Sequence, residues 1–399
     1  MAYIEHWVRG RFEQPRVARF LQMVDVVQPA NPNKPAKSSL RRSRSQLRTC
    51  ASTYHEVRPR VWSQRKLCWR YVSRYRRQKS PSHDIDSDGT PSPDTPYFSF
   101  HPRPVSRSRS RSRDRGRREP ELEKVIPDSL QLLTWNVDAM SDGAADRLAT
   151  ILKYVQHKLF ECPRGEQPAP CCILLQEVRA DVLGVILDNK WVREHFVVAP
   201  TKAEHWPGGV GFGNVTLVAR TVPVAGAGVL EHGYSAMKRH ALIVDVRLGT
   251  CGASGRDSDA EDAERMLRIA NVHLESLIQG TSYRPWQLRD TVKSLTRRGV
   301  DAGIVAGDMN AITAQDWSLP AWAGLADAWR GPEDGRGNTW GYQPPTKEFL
   351  PGRLDKMLYL PNGECEVDIP ERVGVGVKTP GGQWASDHFG LLATVRMSR

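Results

Sequence analysis

Ile304-Val305-Ala306-Gly307-Asp308-Met309-Asn310 is a short apolar run that stops on an Asp and an Asn. Residues 304–306 have the length and composition of a buried strand, and the polar residues fall where that strand ends. The arrangement recurs along the chain. Residues 130–133 precede Thr134-Trp135-Asn136, residues 172–175 lead into Gln176-Glu177, and Ser386-Asp387-His388 stands beside the apolar residues 390–395. Layered α/β proteins place chemistry on loops at strand ends, where a rigid scaffold aims the side chains. One Glu, two Asp, two Asn and a His delivered this way form a hard-oxygen metal site with a positive clamp for phosphate. The pattern points to phosphate-ester hydrolysis.

Further elements extend outward from these motifs. Helices are expected over residues 142–159, 178–189 and 283–298. Strands are expected at 215–219, 242–248, 267–273, 354–360 and 390–395. Residues 249–263 are rich in Gly, Ser and Asp and read as a surface loop. This mixture suits one domain of packed sheets with outer helices, spanning residues 122–399.

Residues 1–121 differ in composition. Of the 57 Lys and Arg and 45 Asp and Glu in the chain, residues 1–124 hold 28 and 12, leaving 29 and 33 for the rest. The basic pI therefore belongs to the N-terminal part, which is expected to be a largely disordered arm. It contains Ser106-Arg107-Ser108-Arg109-Ser110-Arg111-Ser112-Arg113 and a Ser- and Pro-rich stretch over residues 84–104, neither of which can bury enough apolar surface to offset chain ordering. Residues 57–79 interleave Trp62, Trp69, Tyr71 and Tyr75 with Arg and Lys. They read as a solvated basic face or a short helix that stacks on nucleic acid. The Arg-Ser repeat suits a nuclear address or a phosphorylation-tuned switch.

Seven cysteines without zinc or disulfide spacing fit a reducing compartment. No apolar run reaches membrane-spanning length, and the N-terminus lacks a secretory pattern.

Each candidate residue carries two readings. Glu177 is the metal-ligand candidate, because Mg²⁺ takes one or two carboxylates and keeps waters; alone, it is an ordinary helix-capping Glu. Asp308 and Asn310 point the same way at a strand end, suiting water activation and positioning, and they also suit an Asx turn. His388 suits a donor to a charged transition state, with Asp355 as its orienter. Asp355 alternatively pairs with Arg353 or Lys356. His273 and Ser276, in His273-Leu274-Glu275-Ser276, suit contacts to phosphate; His273 can equally be structural. Trp340 is a candidate cleft wall or a core residue.

Together these motifs resemble the endonuclease/exonuclease/phosphatase superfamily over about residues 130–396, and within it the 5′-tyrosyl-DNA phosphodiesterase group. The resemblance rests on Thr134-Trp135-Asn136, Leu175-Gln176-Glu177, His273-Leu274-Glu275-Ser276, Gly307-Asp308-Met309-Asn310, Asn338-Thr339-Trp340 and Ser386-Asp387-His388, in family order. It implies a four-layer α/β sandwich, two mainly antiparallel sheets flanked by helices. It also implies Mg²⁺ (or Mn²⁺) held at Glu177 with support from Asp387, and Asn136 in the same cluster. Asp308 would be the base, Asn310 would position water, and His388 oriented by Asp355 would stabilise the transition state. His273 and Ser276 would grip phosphate and Trp340 would line the cleft. The implied substrate is a DNA 5′ end, including protein–DNA adducts, handled by a monomer in the nucleus. Met309 and residues 277–283 depart from the group's pattern. An abasic-site endonuclease would use the same catalytic set. An RNA-binding Arg-Ser adaptor with an inert enzyme domain is the reading from another class, and the intact Glu177, Asp308, Asn310 and His388 argue against it.

Overall fold

Alternation along an extended chain sends every second side chain to one face of a sheet, and here it builds a core between two sheets. The computed structural model describes residues 51–72, 126–249, 264–347 and 349–398, all within one compact unit. In chain order the strands are β1 (Thr53–Glu56), β2 (Arg60–Ser63), β3 (Cys68–Tyr71), β4 (Ser129–Asn136), β5 (Cys171–Arg179), β6 (Phe196–Ala199), β7 (Phe212–Ala219) and β8 (Val224–Glu231). There follow β9 (His240–Gly249), β10 (Glu264–His273), β11 (Ala302–Asp308), β12 (Ala326–Asp327), β13 (Asp355–Tyr359), β14 (Cys365–Val367), β15 (Glu371–Val373) and β16 (Gly390–Met397). The helices are α1 (Ala144–Tyr154), α2 (Leu183–Asp188), α3 (Lys190–His195), α4 (Arg284–Leu295), α5 (Ala314–Trp317) and α6 (Leu319–Trp322).

One sheet runs β1-β8-β9-β10-β11-β13-β12 and the other β14-β16-β4-β5-β7-β6-β2-β3, with β15 also on β16. Each holds a single parallel pair among the described strands, β10/β11 and β4/β5, bridged by α4 and α1. The architecture is the expected one of two mainly antiparallel sheets flanked by helices.

Ile304 and Ala306 of β11, with Leu267 and Ile269 of β10, face the main core, which also takes Leu133, Ile173 and Leu217 from the other sheet. Val305 and Val272 point the opposite way, into a second core under Leu288 and Leu295 of α4. Parity then fixes Asp308 and His273 on the inter-sheet side, where their strands end. Met309 lies in the second core, so its departure from the family pattern is a packing matter outside the cleft.

Several expectations need correction. The compact unit does not begin near residue 122, because Thr53–Tyr71 supplies three strands. β1 pairs with β8 and β2 with β6. The basic aromatic stretch is a β-hairpin through Tyr71, with Trp62 and Trp69 edge to face at 5.9 Å; residues 73–79 lie outside the described residues, as do the Arg-Ser repeat and residues 84–104. Val178 and Arg179 belong to β5, so the helix foreseen there shrinks to α2 after a 3₁₀ turn. The first helix gives way to a π turn at Val155–Leu159. Of the loop 249–263, residues 250–263 are outside the described residues. No helix among the described residues is long and apolar enough to cross a membrane.

Candidate active site

The ends of β4, β5, β10, β11 and β13 meet at one rim of the inter-sheet core. In register, His273 lies opposite Asp308 and Asp308 opposite Asp355, so three functional side chains stand in a row across three strands. Gly307 makes this possible. Its φ is +143°, and a Cβ there would sit 1.9 Å from the Val272 carbonyl oxygen. Only glycine lets β11 approach β10 this closely.

From the other sheet come Asn136 and Glu177. The β5–β7 register shifts between Leu175 and Val178, and Glu177 has φ +60°. An irregularity of this kind re-aims a side chain. Glu177 Oε2 accepts from the Ala139 amide at 2.7 Å and Oε1 from Asn136 Nδ2 at 3.2 Å. Asn136 Nδ2 also reaches Asp308 Oδ2 at 3.1 Å, so one amide joins the sheets. The buried Arg147 donates to the carbonyls of Val137, Asp138, Ser141, Asp142 and Ala385, fixing the loop after Asn136.

His388 Nδ1 lies 2.7 Å from Asp355 Oδ2. Its Nε2 is 4.0 Å from Asp308 Oδ2. Burial opposes charge on this ring, but Asp355 and Asp387 overrule it and raise His388 well above its ordinary value. The shift favours the imidazolium form, in which Nδ1–H donates to Asp355. His273 goes the other way. Burial, then the charges of Arg239 and His388, hold it well below its ordinary value. Arg239 Nη1 donates to His273 Nδ1 at 3.0 Å, which puts the proton of the neutral ring on Nε2. That N–H faces Asp308 Oδ2 at 3.5 Å and Glu177 Oε1 at 3.7 Å. Burial, then Asp355, push the Asp308 carboxyl up to about 6. Burial, then Asp138 and Asp387, raise Glu177 as well.

Ligand atoms of Glu177, His273 and Asp308 lie within 4.8 Å of one another, as do those of Asp308, Asp355 and His388. Since His273 Nε2 carries a proton, the donors left facing the cleft are carboxylate oxygens. Crowded, desolvated carboxylates suit a hard divalent cation, so the residues fit a metal of that class.

The remaining expected residues hold outer places. Asn310, φ +47°, gives its backbone N–H to Asp308 Oδ1 at 2.8 Å and its side-chain amide to Leu274 O at 3.1 Å. Asx-turn and site geometry coincide there. Trp340 Nε1 donates to Asp387 Oδ2 at 3.0 Å, tying the cleft wall to the rim. Asp387 is in neither group of three whose ligand atoms lie within 4.8 Å of one another. Its Oδ1 lies 4.0 Å from His388 Nε2, at the rim of the metal-binding cluster. Ser276 accepts from Arg239 Nη2 at 2.6 Å.

Arg239 is the residue that sequence reasoning missed. It is buried, links His273 to Ser276, and lies over the Phe212 ring at 5.5 Å. Lys238-Arg239-His240 reads as a basic surface triplet; the usable signal is an Arg two residues before the apolar run at residues 241–244. Glu275 was also missed. Buried, it accepts from Ser235 Oγ, the amides of Ala236 and Met237, and Gln287, anchoring the loop that presents Arg239.

This fold and this array of a base, donors and cation-binding carboxylates define an enzyme that hydrolyses phosphate ester bonds. Residues 133–388 match the Endonuclease/Exonuclease/phosphatase family, and the chain belongs to it. Comparison with curated proteins finds no match. Among solved structures, TDP2 from C. elegans is similar over 68% of this chain and 76% of its own, with 18% identity and a TM-score of 0.51. D. rerio TDP2 complexed with single strand DNA product aligns over 67% and 99%, with 20% identity and a TM-score of 0.51. The endonuclease/exonuclease/phosphatase from Bacteroides vulgatus aligns over 68% and 99%, with 12% identity and a TM-score of 0.50.

Proposed function

We propose that the chain is a Mg²⁺-dependent phosphodiesterase that hydrolyses 5′-phosphotyrosyl bonds at DNA ends. The observation that carries this reading is the aromatic face of Phe212 with Arg239 over it, next to His273 and Ser276. A phosphate gripped by His273 and Ser276 would bring a phenolic leaving group near that Arg–Phe pair. The fold shared with TDP2 structures, one holding a single-strand DNA product, supports the same substrate class.

Glu177, with Asn136 beside it, would hold the Mg²⁺, which when bound neutralises charge on the phosphate oxygens. Asp308 takes the proton of the attacking water as the P–O bond forms. The P–O bond to tyrosine breaks, and the phenol, with a pKa near ~10, leaves more readily than an aliphatic alcohol. The His388 imidazolium and the His273 Nε2–H donate to non-bridging oxygens on which charge builds. The products are a 5′-phosphate and a tyrosinate, which takes its proton from solvent.

Turnover of a 5′-tyrosyl oligonucleotide, with an abasic duplex as the competing substrate, tests the proposal. Turnover is expected on the first, lost in chelator and restored by Mg²⁺ or Mn²⁺ but poorly by Ca²⁺, which prefers more ligands at longer distances. Full activity in chelator would remove the metal from the mechanism. Preference for the abasic duplex would reassign the substrate.

A further inference from the structure

We infer that the β2–β3 hairpin is a landing surface for the phosphodiester backbone of a nucleic-acid strand whose 5′ end occupies the active site. This rests on the proposed function for the identity of the substrate. Its own evidence is a charge arrangement that the catalytic machinery does not use.

Residues 57–72 carry Arg58, Arg60, Arg65, Lys66 and Arg70 and no Asp or Glu. Two of these cations share one aromatic partner. The guanidiniums of Arg58 and Arg60 lie over the same Tyr71 ring, at 5.4 and 4.4 Å from its centre, and Arg60 Nη2 donates to Tyr71 Oη at 3.0 Å. Both cations pack on one ring, and residues 57–72 hold no carboxylate to offset their charge. A guanidinium packed against a ring keeps further N–H donors that suit phosphate oxygens. Tyr71 itself is 55% exposed. Arg193, which covers the neighbouring Trp62 at 4.0 Å, differs in having Asp188 as its counter-ion.

The pairing register connects this surface to the catalytic rim. Arg60 pairs with Val198, Val198 with Leu217 and Leu217 with Ile173, which is four residues before Glu177 on the same strand. Three strand spacings across and four residues along amount to roughly 20 Å. One strand of B-form DNA covers that distance in about six nucleotides at ~3.4 Å each. β3 is the terminal strand of its sheet, and edge cations also guard a sheet against unwanted pairing. Edge protection alone predicts no dependence on substrate length, and that separates the two roles.

The test uses the full chain and its variant Arg58→Gln/Arg60→Gln/Arg70→Gln. Fluorescence anisotropy follows binding of 5′-phosphorylated single strands of about 4 and about 15 nucleotides over a range of salt. For the long strand, affinity is expected to fall about ten-fold in the variant, and the slope of log affinity against log salt to flatten by roughly 0.7 per lost contact. For the short strand both proteins bind equally. The variant Arg58→Lys/Arg60→Lys/Arg70→Lys, which keeps the charges, retains most of the slope, and thermal melting verifies that each variant is folded. Equal long-strand affinity and slope in wild type and Gln variant overturns the inference, as does a short-strand defect of the same size. Because binding is read without turnover, failure to cleave a tyrosyl ester would sink the proposed function by a separate measurement.

Discussion

Asp308 shows how one residue is placed for chemistry at the expense of stability. It is buried beside Asp355 with its carboxyl pushed up to about 6, so the ionised form a base needs is the form the fold disfavours. Asp308→Asn is therefore expected to leave the melting temperature unchanged or raised while turnover falls by ~10²–10⁴; a clear loss of stability with turnover retained would contradict that assignment. His388→Ala should cost about 10²–10³ in turnover, as for removal of one transition-state donor, and steady-state kinetics on the folded variant decides it. Two buried histidines away from the chemistry add a pH dependence to stability. Burial holds His232 at about 4, and burial, then His232 and Arg239, hold His240 at about 3. Both lie below the unfolded value of ~6.5. Between these limits the unfolded chain binds more protons at these two sites, so the stability they contribute falls as pH drops below about 6.5. Urea titration at pH 7.5 and 5.0 should show a loss of about 2 kcal/mol per histidine, and the variant His232→Phe should lose less. At this scale the sequence is legible where a polar residue ends an apolar run, as with Asn136, Glu177 and Asp308. Arg239 and Phe212 escape because their roles arise from contacts between distant strands.

Strands make the same point at the next scale. β4, β5, β10 and β11 are apolar on both faces because each lies inside its sheet with helices or the other sheet above and below, and such runs are readable. β2 and β3 are half-buried or exposed along their length, since they lie at the end of their sheet, and their composition resembles a solvated arm. The element with least tolerance is the end of β11. Gly307→Ala would drive a Cβ into the Val272 carbonyl, and a loss of about 2–4 kcal/mol is expected by chemical denaturation, the range of strain and overpacking combined. A near-neutral result would mean that β10 and β11 can separate without losing the fold.

For the whole molecule, residues 51–72 cannot be treated as part of a detachable tail. Val57 is buried against Val229 and Leu242, and its amide donates to Ala227, while Ser52 Oγ bonds Asp290 on α4 at 2.6 Å. Truncation through residue 72 is expected to lower the melting temperature relative to truncation through residue 50, and to promote aggregation as the edges of β8 and β6 lose their partners. Indistinguishable melting and light scattering for the two would place β1–β3 outside the cooperative unit.

The strands β9 and β10 form a long antiparallel seam between Gly249 and Glu264. Asn136, Glu177 and Arg239 lie before that seam in the chain; His273, Asp308, Asp355 and His388 lie after it. A polypeptide severed there would yield two pieces, each contributing strands to both sheets and neither owning a base, a clamp and a cation seat together. Signal from a chromogenic ester would then count reunited pairs, making the molecule a ready-made complementation sensor whose background is set by chemistry that neither piece can perform.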